Sequence, residues 1–95
     1  MRFDFEWDPR KAARNRTKHG VSFAEAATAF FDPLARIVDD PRHSLDEERL
    51  VLFGHTRTDR LVGVMFVERG QTRIRIISAR PLTRRERLEY EEEIR

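Results

Sequence analysis

Polar and apolar positions alternate first at the N-terminus. Residues 2–7 (RFDFEW) place Phe3, Phe5 and Trp7 on one face, the period of a half-buried strand. Asp8-Pro9 then predicts a helix start, with Asp8 as N-cap and Pro9 at the first helical position, where its missing N–H costs nothing. This helix runs to about Lys18 or His19 and stops at Gly20, the residue best able to take the left-handed C′ conformation. Its apolar content is thin, with Ala12 and Ala13 its main small contacts, so one broad face is predicted to be wet. Ser22 and Glu25 have the spacing of a capping box for a second helix. Phe23, Ala26, Ala27, Phe30 and Phe31 follow at helical spacing as one apolar stripe, and Asp32-Pro33 ends it.

The period changes after Pro33. Residues 35–39 (ARIVD) are short and precede a polar loop, PRHSLDE. Residues 49–56 (RLVLFGHT) and 60–68 (RLVGVMFVE) read as a hairpin across Arg57-Thr58-Asp59. After the turn Arg69-Gly70-Gln71, residues 72–80 (TRIRIISAR) begin with clean alternation of Ile74 and Ile76 against Arg73 and Arg75. The phase becomes ambiguous at Ile77, where a bulge would re-aim Ser78 and Arg80. Pro81 stops the strand. Thr83 and Glu86 form another capping box, for a mostly charged terminal helix over 84–94 that contains Leu88, Tyr90 and Ile94. The resulting order is β-α-α-β-β-β-α. It predicts an α+β domain spanning 1–95, an antiparallel sheet with its helices packed on one face and the other face free.

Composition narrows the classes. At 95 residues with 39% hydrophobic and 38% charged content, the chain supports one modest core under a heavily charged surface. No run approaches the roughly 20 apolar residues of a membrane span. MRFDFEWD carries acids where a secretory signal needs an apolar run. The absence of cysteine excludes a disulfide framework, a thiolate metal site and a cysteine nucleophile. Together these point to the cytoplasm.

Net charge is only +2, but the charges are segregated. Residues 10–18 carry Arg10, Lys11, Arg14, Arg16 and Lys18 with no acid. Residues 39–48 are acidic apart from Arg42, and from Arg69 to Arg87 the arginines face the single acid Glu86. All but Lys11 and Lys18 of the 19 bases are arginine, whose planar fork suits bidentate phosphate contact. This pattern points to a basic surface that receives a polyanion, against the alternative that arginine merely solvates the surface.

Five ordered blocks carry a family resemblance: FEWDP (5–9), KHGVSF (18–23), DP (32–33), HS with EER (43–44 and 47–49), and IISAR (76–80). The chain resembles the BrnT family of bacterial type II toxins, whose fold is similar to RelE-like ribonucleases. The resemblance implies an endoribonuclease that arrests growth. It also implies a cognate ribbon-helix-helix antitoxin, bound in a hetero-oligomer, through which alone operator DNA is contacted. Two features depart from the family pattern: the hairpin turn at 57–59 lacks glycine, and a histidine stands at position 55.

Metal-free RNA cleavage needs a base for the ribose 2′-hydroxyl, a cation for the crowded phosphate and an acid for the leaving oxygen. His19, His43 and His55 are isolated from one another and form no cluster with metal-ligand spacing, so neither a cofactor nor a metal site is indicated. The candidate catalytic residues are Lys18, His19, Glu48, Arg49, Arg75, Ser78 and Arg80. Each also has a plainer role. Lys18 and His19 are placed to complement a helix dipole, Glu48 and Arg49 to form a cross-strand ion pair, and Ser78 to satisfy nearby backbone. Glu48 is a base for the 2′-hydroxyl or orients an arginine, with Glu47 the adjacent alternative. Arg80 is the foremost candidate for phosphate stabilisation. Only a bulge near Ile77 places Arg73, Arg75, Ser78 and Arg80 on one surface. Tyr90 stacks a base or packs as an ordinary helix contact, and Glu91–Glu93 form a solvated face or touch the antitoxin. A non-catalytic nucleic-acid-binding or antitoxin-binding module would use the same arginines.

Overall fold

The computed structural model describes residues 3–40 and 48–94. Its elements are β1 (Asp4–Glu6), α1 (Pro9–His19), α2 (Phe23–Thr28), a 3-10 turn (Ala29–Phe31), β2 (Arg36–Asp39), β3 (Leu50–His55), β4 (Leu61–Arg69), β5 (Arg73–Pro81) and α3 (Arg84–Glu93). Residues 36–39 are a full sheet strand, so four strands follow the first two helices, one more than the predicted order contains.

The five strands form one sheet in the order β1-β5-β4-β3-β2. Neighbours from β2 to β5 are antiparallel, with short turns joining β3 to β4 and β4 to β5. β1 is parallel to β5, pairing Asp4, Phe5 and Glu6 with Arg73, Ile74 and Arg75. The sheet is therefore mixed rather than antiparallel. The whole chain between β1 and β5 serves as the crossover that a parallel pair needs.

Caps form where the polar residues predict them. The Asp8 carboxylate accepts from the Arg10 N–H at 2.8 Å, and Gly20 closes α1 at φ 72°. Ser22 Oγ accepts from the Glu25 N–H, but the Glu25 side chain does not return to the cap. Its carboxylate instead accepts from the Thr56 and Thr58 hydroxyls and from Arg60, tying α2 to the β3–β4 turn. The Thr58 hydroxyl bond leads the interactions that hold the Glu25 carboxyl below its ordinary range. That turn manages without glycine because Asp59 takes the left-handed conformation at φ 65°.

The apolar stripe of α2 holds for Phe23, Ala26 and Ala27, all buried. Past Thr28 the backbone tightens from α to 3-10 geometry, which turns each residue further round the axis. Ala29 is thereby buried completely, whereas Phe31 is left 59% exposed. Phe30 remains in the core, 4.9 Å from Phe66 between ring centroids.

The helices lie on both faces of the sheet, not on one. Leu52, Val62, Val64, Phe66, Ile74, Ile76 and Ala79 point to the face covered by α2 and form the main core with Phe23, Ala26 and Ala29. On the opposite face, Tyr90 of α3 packs with Leu61, Leu82 and Phe53. α1 reaches the edge of β5. Asn15, buried, donates from Nδ2 to the carbonyls of Ala79 (2.8 Å) and Val21 (3.0 Å), and its Oδ1 accepts from the Ala79 N–H (3.0 Å). The amide thus supplies the donor and acceptor of a neighbouring strand just where β1 no longer covers β5.

Candidate functional site

The bulge at Ile77 organises the site. Met65 pairs with Ser78 and Phe66 with Ile76, so Ile77 has no partner on β4 and the side-chain phase of β5 shifts by one. Arg73, Arg75, Ser78 and Arg80 consequently share the face that carries α3. Without the bulge, Ser78 and Arg80 would point into the main core.

A cleft of about 430 Å³ opens on that face. It is lined by Ser78, Arg80 and Glu86 on one side and by Val38, Val51, Phe53, Gly63 and Met65 on its floor, with Asp39 and Asp40 at the β2 end. Arg80 is held end-on: its two terminal nitrogens donate to the two Glu86 carboxylate oxygens at 2.7 and 2.8 Å. Glu86 Oε1 also accepts from the Thr83 N–H at 2.9 Å, so the residue that completes the α3 capping box also positions the arginine. The Arg80 bond and then the Thr83 amide lower the Glu86 pKa to about 2, burial acting the other way. The same bond raises the pKa of Arg80. The Arg80 Nε–H and one further N–H point away from this pair and are the donors available to an anion.

The remaining candidates are more dispersed. Arg75 and Arg73 share Glu6, at 2.9 and 3.5 Å, so they form a partly neutralised ladder against β1 and do not line the cleft. Lys18 and His19 follow Asn15 by about one turn at the C-terminal end of α1, whose contact with Ala79 sets the helix along the β5 edge of the cleft; neither side chain lines it. Glu48 and Arg49 precede β3 and are not part of it, and the cross-strand ion pair assigned to them does not form among the described residues. The Arg49 Nε is buried without a hydrogen-bond partner there, and its carbonyl accepts from the Asp40 N–H at 3.0 Å. His43, Ser44 and Glu47 lie outside the described residues. Among the described residues no three His, Cys, Asp or Glu side chains group as metal ligands would.

Sequence reasoning missed three features. Glu86 was legible only as a cap, because its partner Arg80 lies across a strand end. Phe53 is marked by its pattern only as a strand residue. The acid that meets His55 lies outside helical spacing: Asp32 Oδ2 accepts from the His55 backbone N–H at 2.7 Å and lies 3.4 Å from its Nδ1. Burial opposes ionisation of Asp32, but the His55 and Leu34 amides outweigh it and lower the pKa. Tyr90 stands edge-on to the His55 ring and donates to the Leu34 carbonyl. Its phenol is pushed up, first by burial and then by the Asp32 charge. Tyr90 is thus a packing residue, 4% exposed, with no face free for a base.

A five-stranded mixed sheet with helices on both faces and a cleft holding the Arg80–Glu86 pair defines a small α+β domain. The crystal structure of the Brucella abortus ribonuclease toxin BrnT shares the fold, with a TM-score of 0.66 and 24% identity over 86% of this chain and 99% of that one. The chain belongs to the BrnT family: the model for the ribonuclease toxin BrnT of type II toxin-antitoxin systems matches residues 7–86. No curated protein sequence matches it. Among the described residues no helix is long and apolar enough to cross a membrane.

Proposed function

We propose that the chain is a RelE-like endoribonuclease that cleaves RNA without a metal, with residues 1–95 acting as one domain in the cytoplasm. In this reading Arg80 stabilises the phosphate as the ribose 2′-oxygen attacks phosphorus and the bond to the 5′-oxygen breaks. The observation that carries it is the bidentate Arg80–Glu86 pair beside Ser78 in an open cleft. A guanidinium already oriented needs no rearrangement when negative charge develops, and such preorganised donors supply much of an enzyme's transition-state stabilisation. Ser78 adds a hydroxyl donor on the same strand face. Lys18 and His19, one turn beyond the α1 contact with β5, contact the phosphate or move a proton at the leaving oxygen. Glu48 serves as base for the 2′-hydroxyl or orients Arg49, and Arg75 follows the RNA backbone further along β5. A cognate ribbon-helix-helix antitoxin neutralises the toxin in a hetero-oligomer, and operator DNA is contacted only through it.

The test is cleavage of RNA by the purified chain in EDTA. Wild-type protein yields products. Arg80→Ala lowers the rate by about 10²–10³, the usual loss on removing one preorganised donor. Arg80→Lys falls about as far, because an ammonium cannot meet Glu86 and a phosphate with one rigid fork. Intact but bound RNA with the wild-type protein would show a binding module instead. Rescue of growth by co-expression of the neighbouring gene tests the antitoxin.

A further inference from the structure

We propose that the apolar floor of the cleft is a nucleobase site, with the Phe53 ring as its stacking platform and Gly63 as the residue that makes room for it. The substrate class is then single-stranded RNA with one base splayed out beside Arg80. This rests on the ribonuclease reading and extends it from the phosphate to the base.

Two rows of directly paired residues cross the sheet here. One runs Phe53–Gly63–Arg80 and the next Val51–Met65–Ser78, across β3, β4 and β5. Paired residues share a face, so the apolar members lie on β3 and β4 and the polar ones on β5. Phe53 and Arg80 are two strand spacings apart, about 10 Å, comparable with the reach of one nucleotide from phosphate to base.

Gly63 sits between them without a side chain. A Cβ there would stand 3.3 Å from Phe53 Cε1 and 3.5 Å from Cδ1, so the ring rests against the bare β4 backbone. Phe53 differs from the core phenylalanines. Phe23 and Phe66 are 1% exposed, whereas Phe53 is half-buried, packed by Leu61, Leu82 and Tyr90 and open to the cleft beside Met65 and Val51.

The occupant follows from the neighbours. The apolar surface is flanked by Arg80 and Ser78 on β5, with Glu86 engaged by Arg80, and by Asp39 and Asp40 at the β2 end. It suits a ligand whose flat aromatic part lies on the floor and whose anionic part meets Arg80, away from the β2 carboxylates. A duplex hides its base faces in the stack, so an unpaired base is required.

The test measures binding to the full chain by NMR, using nucleoside 3′-monophosphates, ribose 5-phosphate and inorganic phosphate as probes. Nucleotides bind at least tenfold more tightly than ribose 5-phosphate and shift the Phe53 and Gly63 amides. Phe53→Leu weakens nucleotide binding by roughly five- to a hundredfold, the range of one base–aromatic stack. It leaves inorganic phosphate unaffected, and Phe53→Trp retains nucleotide affinity. Gly63→Ala, which displaces the ring slightly, gives a fewfold loss and serves as the second arm if Phe53→Leu does not fold. Equal affinity for nucleotides and ribose 5-phosphate, or folded Phe53→Leu and Gly63→Ala proteins that bind nucleotides like wild type, overturns the base site. Phe53-dependent nucleotide binding by a chain that leaves RNA intact supports the base site while overturning the ribonuclease reading. RNA cleavage with an unchanged KM in Phe53→Leu overturns the base site and leaves cleavage standing.

Discussion

On the sheet face covered by α2, Phe23, Phe66, Leu52 and Ile76 are about 1% exposed and Val62 and Val64 are fully hidden. On the face carrying α3, Phe53, Met65 and Val51 remain half-open around a cleft, and Tyr90, Leu61 and Leu82 make only a small second cluster. The same strands supply both faces, by alternation. The difference arises from what covers them. α2 brings Phe23 and a run of alanines that allow close approach, whereas α3 is charged along most of its length and meets the sheet mainly through Tyr90. One face is closed by packing and the other stays open.

The largest effect that tests this contrast is a truncation on the closed face. Phe66→Ala should cost about 3–5 kcal/mol, measured by denaturant unfolding, because it removes a fully packed ring. Phe53→Leu on the open face should cost under about 1.5 kcal/mol. Equal losses would show that the two faces share one core.

A smaller loss belongs to the edge of β5. Asn15→Leu should destabilise by about 1–3 kcal/mol, since Ala79 loses both amide partners next to the bulge. Hydrogen exchange at Ala79 should accelerate in parallel.

The smallest effect is one of pH. The Glu86 pKa lies at about 2 in the folded chain against 4.5 as its ordinary value, so its contribution is complete above about pH 4.5 and is lost as pH falls towards 2. Unfolding curves between pH 6 and 2 should show this loss, and Glu86→Gln should remove that part of the slope. The exposed Arg36–Glu93 pair, 2.9 Å apart, should add little on the same scale.

Local signals in the chain carried far. Asp8-Pro9 and Gly20 bounded α1 to the residue, and Thr83 with Glu86 started α3, because caps depend on side chains within a few positions of one another. The alternation in RIRI and the doubt at Ile77 contained the bulge in outline. The family blocks marked Lys18, His19, Ser78 and Arg80 as residues to watch. What these patterns could not supply was anything set by contact across the fold. Whether β1 runs parallel to β5, and on which face α3 comes to rest, depends on burying surfaces far apart in sequence. The pairing of Glu86 with Arg80, of Asp32 with His55 and of Glu6 with two arginines likewise follows from where elements dock.

Sequence by itself therefore determined the elements, their caps and the segregation of arginine, since each arises from sterics and hydrogen bonds a few residues long. Tertiary structure alone decided which arginine is oriented, which two share one carboxylate and which apolar ring stays open, because electrostatics and burial act through space.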